Sequence, residues 1–366
     1  MEIKHSAGLL ASPLPRFFAF PFLPILFTVN PCSFSSRLAC IFLGTAGIAL
    51  ALPGLRPITA HHRLRRFTFT YQIKLANPHP GDDLRLWIPL AHSDAHQRVR
   101  IVSVHGSAPL RQYHEPAFGN QVFYLHLAHA RRRFYHFRIV YAVTRLEHLG
   151  LAGRKIPPAS AQNAPLGPRL RPYLLPNRLV PVTGLPAELA AQSVRGLRTR
   201  LAKAHALYEY VLHHMTYSKT GAGWGHGNAL FACTAHHGNC TDFHSLFMAM
   251  ARSQGIPVKF KIGFPLPRHA ARGAIPGYHC WVNFYIPGLG WLPADISEAW
   301  LQPRNRRFYF GNIDANRVRF TSGRDLILRP RQAGLPLNFF VYPYLEVNRR
   351  SDAAAVTSRF VFANDR

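Results

Sequence analysis

The chain has 366 residues, 48% of them hydrophobic, a composition that fits a globular protein with room for two domains and excludes a disordered chain. Of its 44 basic residues seven are Lys, so 37 are Arg, and with 16 acidic residues the formal charge is +28. Such a balance draws a protein toward anions, yet Arg133, Arg198, Arg306 and Arg349 fall in separate segments and no nucleic-acid-binding module is present, so nucleic acid is not an expected partner.

Two apolar stretches open the chain, at residues 17–29 and 38–52. Both fall short of the roughly 20 residues that a spanning helix needs. Arg37 stands before the second, and Ala49-Leu50-Ala51 supplies a small-x-small cleavage site near its end, the pattern of a secretory signal. Left uncleaved, the two stretches together would serve as a membrane anchor. Residues 1–60 are assigned to one of these roles, and the protein is expected to be exported, either periplasmic or anchored facing the periplasm.

Residues 61–146 alternate with period two. Phe67, Phe69, Tyr71, Ile73 and Leu75 share one face of a strand, as do Tyr135, Phe137, Ile139, Tyr141 and Val143. Shorter runs lie around Leu84–Ile88, at Val99 and Ile101, and at Phe123, Leu125 and Leu127. Strands of this length, separated by turns such as Pro80-Gly81-Asp82-Asp83, predict an antiparallel β-sandwich with no catalytic residue of its own. Residues 147–185 are rich in proline, which fixes φ and removes N–H donors, so an extended surface linker is expected there. A helical period then runs through Leu197, Leu201, Ala204, Tyr208 and Leu212.

The stretch Gly238-Asn239-Cys240-Thr241-Asp242-Phe243 reads as a loop ending and a helix beginning. Asn239 is placed to cap the helix, and Asp242 to reach back to the cap. Phe243, Leu246, Phe247 and Met250 give it one buried face, and Gly255 with Pro257 ends it. Cys240 thus lies in a first turn, where unpaired N–H groups and the positive end of the helix dipole favour thiolate over thiol. Downstream, His279 begins the strand-like run His279-Cys280-Trp281-Val282-Asn283-Phe284-Tyr285, and Asp295 follows the turn Pro287-Gly288-Leu289-Gly290. A hairpin over this turn would set the imidazole beside the carboxylate, as a base and the group that orients it.

These motifs, GNCTDFHSLFMAMARSQGIP, GYHCWVNFYIPGLGW and PADIS, resemble the transglutaminase-like superfamily in order, spacing and local context. The resemblance covers about a third of the chain, from near residue 185 to about residue 300. It implies an α+β fold: a papain-like core, with a helix-borne Cys packed on an antiparallel sheet that carries His and Asp, behind an all-β sandwich. It also implies catalytic Cys240, His279 and Asp295 acting on a peptide or protein substrate. The chain looks most like bacterial secreted members; it has no acidic cluster of the calcium-loop type, so neither metal nor other cofactor is expected.

Residues 186–345 are assigned to this catalytic domain, with the strand-like runs after residue 317 completing its sheet, and residues 346–366 to a polar tail. Cys233, His236, His237 and Cys240 raise a zinc alternative, set aside because they crowd one eight-residue loop. If Cys240 is the reactive thiol, Cys233 and Cys280 are left to form a disulfide. The backbone N–H of Cys240 is the expected first oxyanion donor; Trp224 and Tyr217 are candidates for the second, but either is read equally well as a packing aromatic, and neither is assigned to the site. His244, four residues after Cys240, is read as a partly buried structural histidine. Two rival readings are a binding module on the same fold and a binder of anionic cell-envelope polymer.

Overall fold

The computed structural model describes residues 63–77 and 79–365, so the signal or anchor expected at residues 1–60 lies outside the described residues. No helix among them is long and apolar enough to cross a membrane.

The period-two segments form two five-stranded antiparallel sheets. The first runs in the order Arg272–Ile275, Val356–Asn364, Leu64–Ala76, Phe134–Leu146, Gln97–Gly106. The second runs Arg350–Ser351, Tyr344–Val347, Leu84–Pro89, Gln121–Leu127, Arg111–His114. Phe67, Phe69 and Tyr71 of the first and Leu84, Leu86 and Ile88 of the second are fully buried in one hydrophobic core. At roughly 1.5–3 kcal/mol for each such side chain, this burial is what holds the sheets together.

Both sheets draw strands from the far end of the chain, which corrects the assignment of residues 346–366 to a tail. Val356–Asn364 pairs along Leu64–Ala76, with Phe69 opposite Phe362 and Tyr71 opposite Phe360. Only Phe360 and Phe362 mark its buried face, too few for a convincing alternation, while Thr357 and Arg359 before them are exposed.

The sheet that carries His279 is four-stranded and antiparallel, in the order Gly290–Ala294, His279–Ile286, Val258–Pro265, Arg317–Ser322. Of the late strand-like runs only Arg317–Ser322 joins it. Leu326, Leu328 and Phe340 instead pack with Trp87 and Val122 in a separate small core. Helix Cys240–Ser253 lies on one face, with Phe247 edge-on to Phe284 at 6.1 Å. An aromatic cluster ties this sheet to the first five-stranded one: Phe264 and Phe320 lie 5.7 and 5.6 Å from Phe69.

The proline-rich segment has little regular structure: a single turn at Ala159–Gln162 and a 3-10 stretch at Pro168–Tyr173. It is pinned to the protein where Arg252 donates to the Leu175 carbonyl and to Asn177. The helical period after it divides into Leu185–Ser193 and Arg200–His214, because Gly196 adopts φ 77° and Thr199 caps the second helix at Ala202 N–H.

Candidate active site

The Cys240 helix starts as its sequence dictates. Asn239 caps Thr241 N–H at 2.8 Å, and Asp242 accepts from Asn239 N–H at 3.0 Å, completing a capping box. Asp242 also gathers the preceding loop, accepting from Gly225 N–H at 2.7 Å and Gly227 N–H at 2.9 Å. Its burial raises its pKa above the ordinary carboxylate value, against the pull of those three donors. Gly238 is required here, since at φ 155° a Cβ would lie 2.4 Å from the Asp242 carboxylate. The loop that sequence left irregular contains a short helix, Ala229–Ala235, capped by Asn228. A two-residue parallel pairing then sets Tyr217 against Gly238, one turn from the thiol.

The hairpin forms as expected, with Phe284 opposite Leu292 and Val282 opposite Ala294. It brings His279 Nε2 to 2.7 Å from Asp295 Oδ2, both buried. Cys240 is buried, with only 2% of the residue exposed, and its charge is set by the neighbouring His279 ring and by the thiol and backbone N–H of Cys280. With Nε2 committed to Asp295, Nδ1 is the nitrogen left for the sulfur. Burial alone would push the Cys240 thiol up; those neighbours, with the His279 charge, outweigh it and bring it down to about 6. For His279 burial works downward, but the Asp295 charge and hydrogen bond, with the sulfur, raise it to about 10. The pair therefore rests as thiolate and imidazolium at neutral pH.

Asp295 has a second cation, which sequence reasoning missed. Arg317 Nη1 donates to Asp295 Oδ2 at 2.6 Å, while Nη2 and Nε donate to Asp314 Oδ1 at 3.2 and 3.3 Å. Its guanidinium lies 5.0 Å from the centre of the Trp281 ring. The other Asp295 oxygen accepts from Ser297 Oγ and from Glu298 N–H, so the carboxylate also caps helix Ile296–Leu301. Burial would raise the Asp295 pKa; the His279 and Arg317 charges, with the His279 hydrogen bond, hold it far below the carboxylate range. The available signal was Arg317 itself, a charge inside the otherwise strand-like Arg317-Val318-Arg319-Phe320.

His244 is fully buried rather than partly so, and it bridges the two halves of the site. Ile296 N–H donates to its Nε2 at 3.1 Å, which leaves the proton on Nδ1 for the Cys240 carbonyl at 2.7 Å. Burial, with the His279 and Arg317 charges, lowers its pKa to about 4, so the ring is neutral. It ties the first turn of the Cys240 helix to the Asp295 loop.

Two sequence expectations change. Cys233, Cys240 and Cys280 are all free, so the Cys233–Cys280 disulfide does not form. Cys233 is held in helix Ala229–Ala235, and Cys280 turns into the core, where its sulfur lies 3.5 Å from His244 Nδ1 and against Cys240. Among the oxyanion candidates Tyr217 lies closer to the chemistry than sequence could tell. Its phenol pKa is raised, first by burial and then by the nearby Cys240 charge. Trp224 is half-buried in the preceding loop. Among the described residues no three His, Cys, Asp or Glu side chains gather as a metal site; His237 Nδ1 bonds the Ala235 carbonyl at 2.9 Å.

Comparison with known proteins agrees on the fold. Residues 187–296 match the family model described as the transglutaminase-like superfamily. An uncharacterized protein of Haemophilus influenzae is 25% identical over 320 residues, covering 78% of this chain and 86% of that protein. Among solved structures, a candidate cysteine protease from Cytophaga hutchinsonii superposes with a TM-score of 0.56 at 16% identity, over 83% of this chain and 92% of that one. The periplasmic domain of TgpA from Pseudomonas aeruginosa, solved with bound ethylmercury, gives a TM-score of 0.33 at 14% identity, over 66% and 92% of the two chains.

Proposed function

We propose that this chain, which carries a transglutaminase-like domain at residues 187–296, is a thiol enzyme that opens amide bonds of peptides or proteins through a Cys240 thioester. The observation that carries the reading is the buried His279–Asp295 pair, 2.7 Å apart, which together with the buried Cys240 lowers the thiol and raises the imidazole. In the proposed cycle the thiolate attacks the amide carbonyl, and the tetrahedral oxyanion is met by the Cys240 N–H, which has no intrahelical acceptor in the first turn. The Tyr217 hydroxyl is the second donor in this scheme. The C–N bond breaks as the His279 imidazolium protonates the leaving amine. An acceptor, water or a second amine, then gives its proton to His279 and attacks the thioester, releasing the acyl product and the thiolate.

Hydrolysis is the simplest outcome, and export to the periplasm with a peptide or protein substrate is the setting we assign to it. Acyl transfer to an amine is a second reading with its own observation: Cys240 is 2% exposed, and a shielded sulfur limits the access of water to the thioester. Partnership with an anionic envelope polymer rests on the +28 formal charge alone.

The test is a screen of peptide amides with and without a fluorescent primary amine, run with wild type and Cys240→Ala side by side. Release of free acid by wild type only supports hydrolysis, and amine conjugate by wild type only supports transfer. Equal turnover by both proteins would end the thiol reading.

A further inference from the structure

The sheet that carries His279 has a second face, turned away from the Cys240 helix. On it Lys259 stands opposite Asn283 and Lys261 opposite Trp281. Together with the 92–96 loop, His148 and Tyr173, these strands line an open cleft of about 410 Å³, bordered also by Trp291 and Arg319. Asn283 lies four residues along the strand from His279, roughly 13 Å away, so the cleft is distinct from the thiol site.

The charges around it do not balance. Lys259, Lys261 and Arg319 line the cleft, with Asp94 as the carboxylate among its lining residues. Arg319 Nε donates to Asp94 Oδ2 at 2.7 Å, its Nη1 to His92 Nε2 at 3.0 Å and its Nη2 to the His92 carbonyl at 3.2 Å, so its hydrogen bonds are committed within the protein. Lys261 Nζ reaches the same Asp94 oxygen only at 3.9 Å, and its side chain is 19% exposed. The Lys259 ammonium faces aromatic rings, 4.0 Å from the centre of Trp291 and 4.5 Å from that of Tyr173. Burial first, then the surrounding cations, lowers the Lys261 pKa to about 7. A pocket with surplus positive charge in a low-dielectric setting concentrates anions. Asn283 supplies an independent sign of an absent partner: it is 4% exposed, lines the cleft, and its buried Oδ1 has no hydrogen-bond donor. A buried acceptor left unmatched costs about 1–3 kcal/mol, and a ligand hydroxyl would satisfy it.

We propose that this cleft binds a small hydroxyl-bearing organic anion, a phosphate ester or a carboxylate, with Lys261 and Lys259 meeting the charge and Asn283 Oδ1 accepting from the hydroxyl. The site needs no residue of the thiol centre, so it stands or falls apart from the enzymatic reading. Glucose 6-phosphate and glucuronate distinguish the two anion chemistries, with glucose as the neutral control.

Calorimetric titration of the full chain at low salt is expected to give saturable binding of at least one of the anions, about tenfold or more tighter than glucose. Lys261→Met should weaken that anion by about tenfold or more, Asn283→Leu should weaken it as well, and Cys240→Ala should leave it unchanged. If circular dichroism shows that Lys261→Met does not fold, Lys259→Met carries the same expectation. Neither anion binding better than glucose overturns the proposal, as does wild-type affinity in a folded lysine variant.

Discussion

Arg317→Met isolates the part played by the group behind the carboxylate. The substitution keeps a long apolar side chain against Trp281 and removes the charge that serves Asp295 and Asp314 together. Removing one member of a buried ion pair costs about 3–5 kcal/mol, because the partner is left buried and less compensated. The lower end applies here, since Asp314 keeps Arg268 at 2.8 Å, Tyr309 at 3.0 Å and Asn316 N–H at 3.0 Å, and Asp295 keeps His279, Ser297 and Glu298. At about 2–4 °C for each kcal/mol in a protein of this size, a loss of about 3 kcal/mol lowers the melting temperature by roughly 6–12 °C. The Asp295 pKa must rise, because burial is then opposed by His279 but no longer by Arg317. His279 keeps its charge but loses part of what fixes its angle, and a misplaced base can cost up to about 100-fold in rate. The assay is a melt together with the rate of Cys240 alkylation by iodoacetamide across pH. Adding Asp314→Asn to the variant should recover part of the lost stability, since the second uncompensated carboxylate is then gone. An Arg317→Met protein that melts within about 1 °C of wild type and alkylates at its rate would refute the reasoning.

Three further outcomes follow from the same geometry. Turnover needs the thiolate, lost as pH falls through about 6, and the imidazolium, lost as pH rises through about 10, so kcat/KM should plateau between those values; a maximum confined below pH 6 would contradict the ion pair. Cys280→Ala removes a thiol that donates to the Cys240 sulfur, so the pH at which Cys240 alkylation reaches half its limit should move upward while the thiol count falls by one. His244→Leu cuts the link from the Cys240 carbonyl to Ile296 N–H and leaves that buried N–H unmatched, which costs about 1–3 kcal/mol in a urea melt. His244→Gln should recover part of this if its side-chain oxygen reaches the same N–H.

What the sequence disclosed and what it withheld divide along physical lines. The Cys240 turn was legible because capping chemistry is local: Asn239, Asp242 and Gly238 act within four residues of the cysteine. The His279–Asp295 hairpin was legible because its turn and strands are contiguous. Arg317 and His244 act on the site across 22 and 51 residues of chain from Asp295, through contacts that exist only once the sheet and the Cys240 helix have packed. The strand Val356–Asn364 failed to show for the same reason, since its place is set by its partner and not by its own weak alternation.

That division bears on how the thiolate is held. A helix start alone would lower any cysteine placed there by a modest amount. Here the sulfur is buried, which works against charge, and the balance is tipped by the His279 ring and by both the thiol and the N–H of Cys280. His279 can supply that charge only because Asp295 is kept ionised, and Asp295 is kept ionised by His279 and Arg317 together. Arg317, on the edge strand of the sheet that carries His279, thus bears on residue 240 only through Asp295 and the angle of His279. A cysteine at a helix start is therefore weak grounds for assigning reactivity by itself. In this fold the stronger grounds are a buried cation standing behind the carboxylate that orients the histidine.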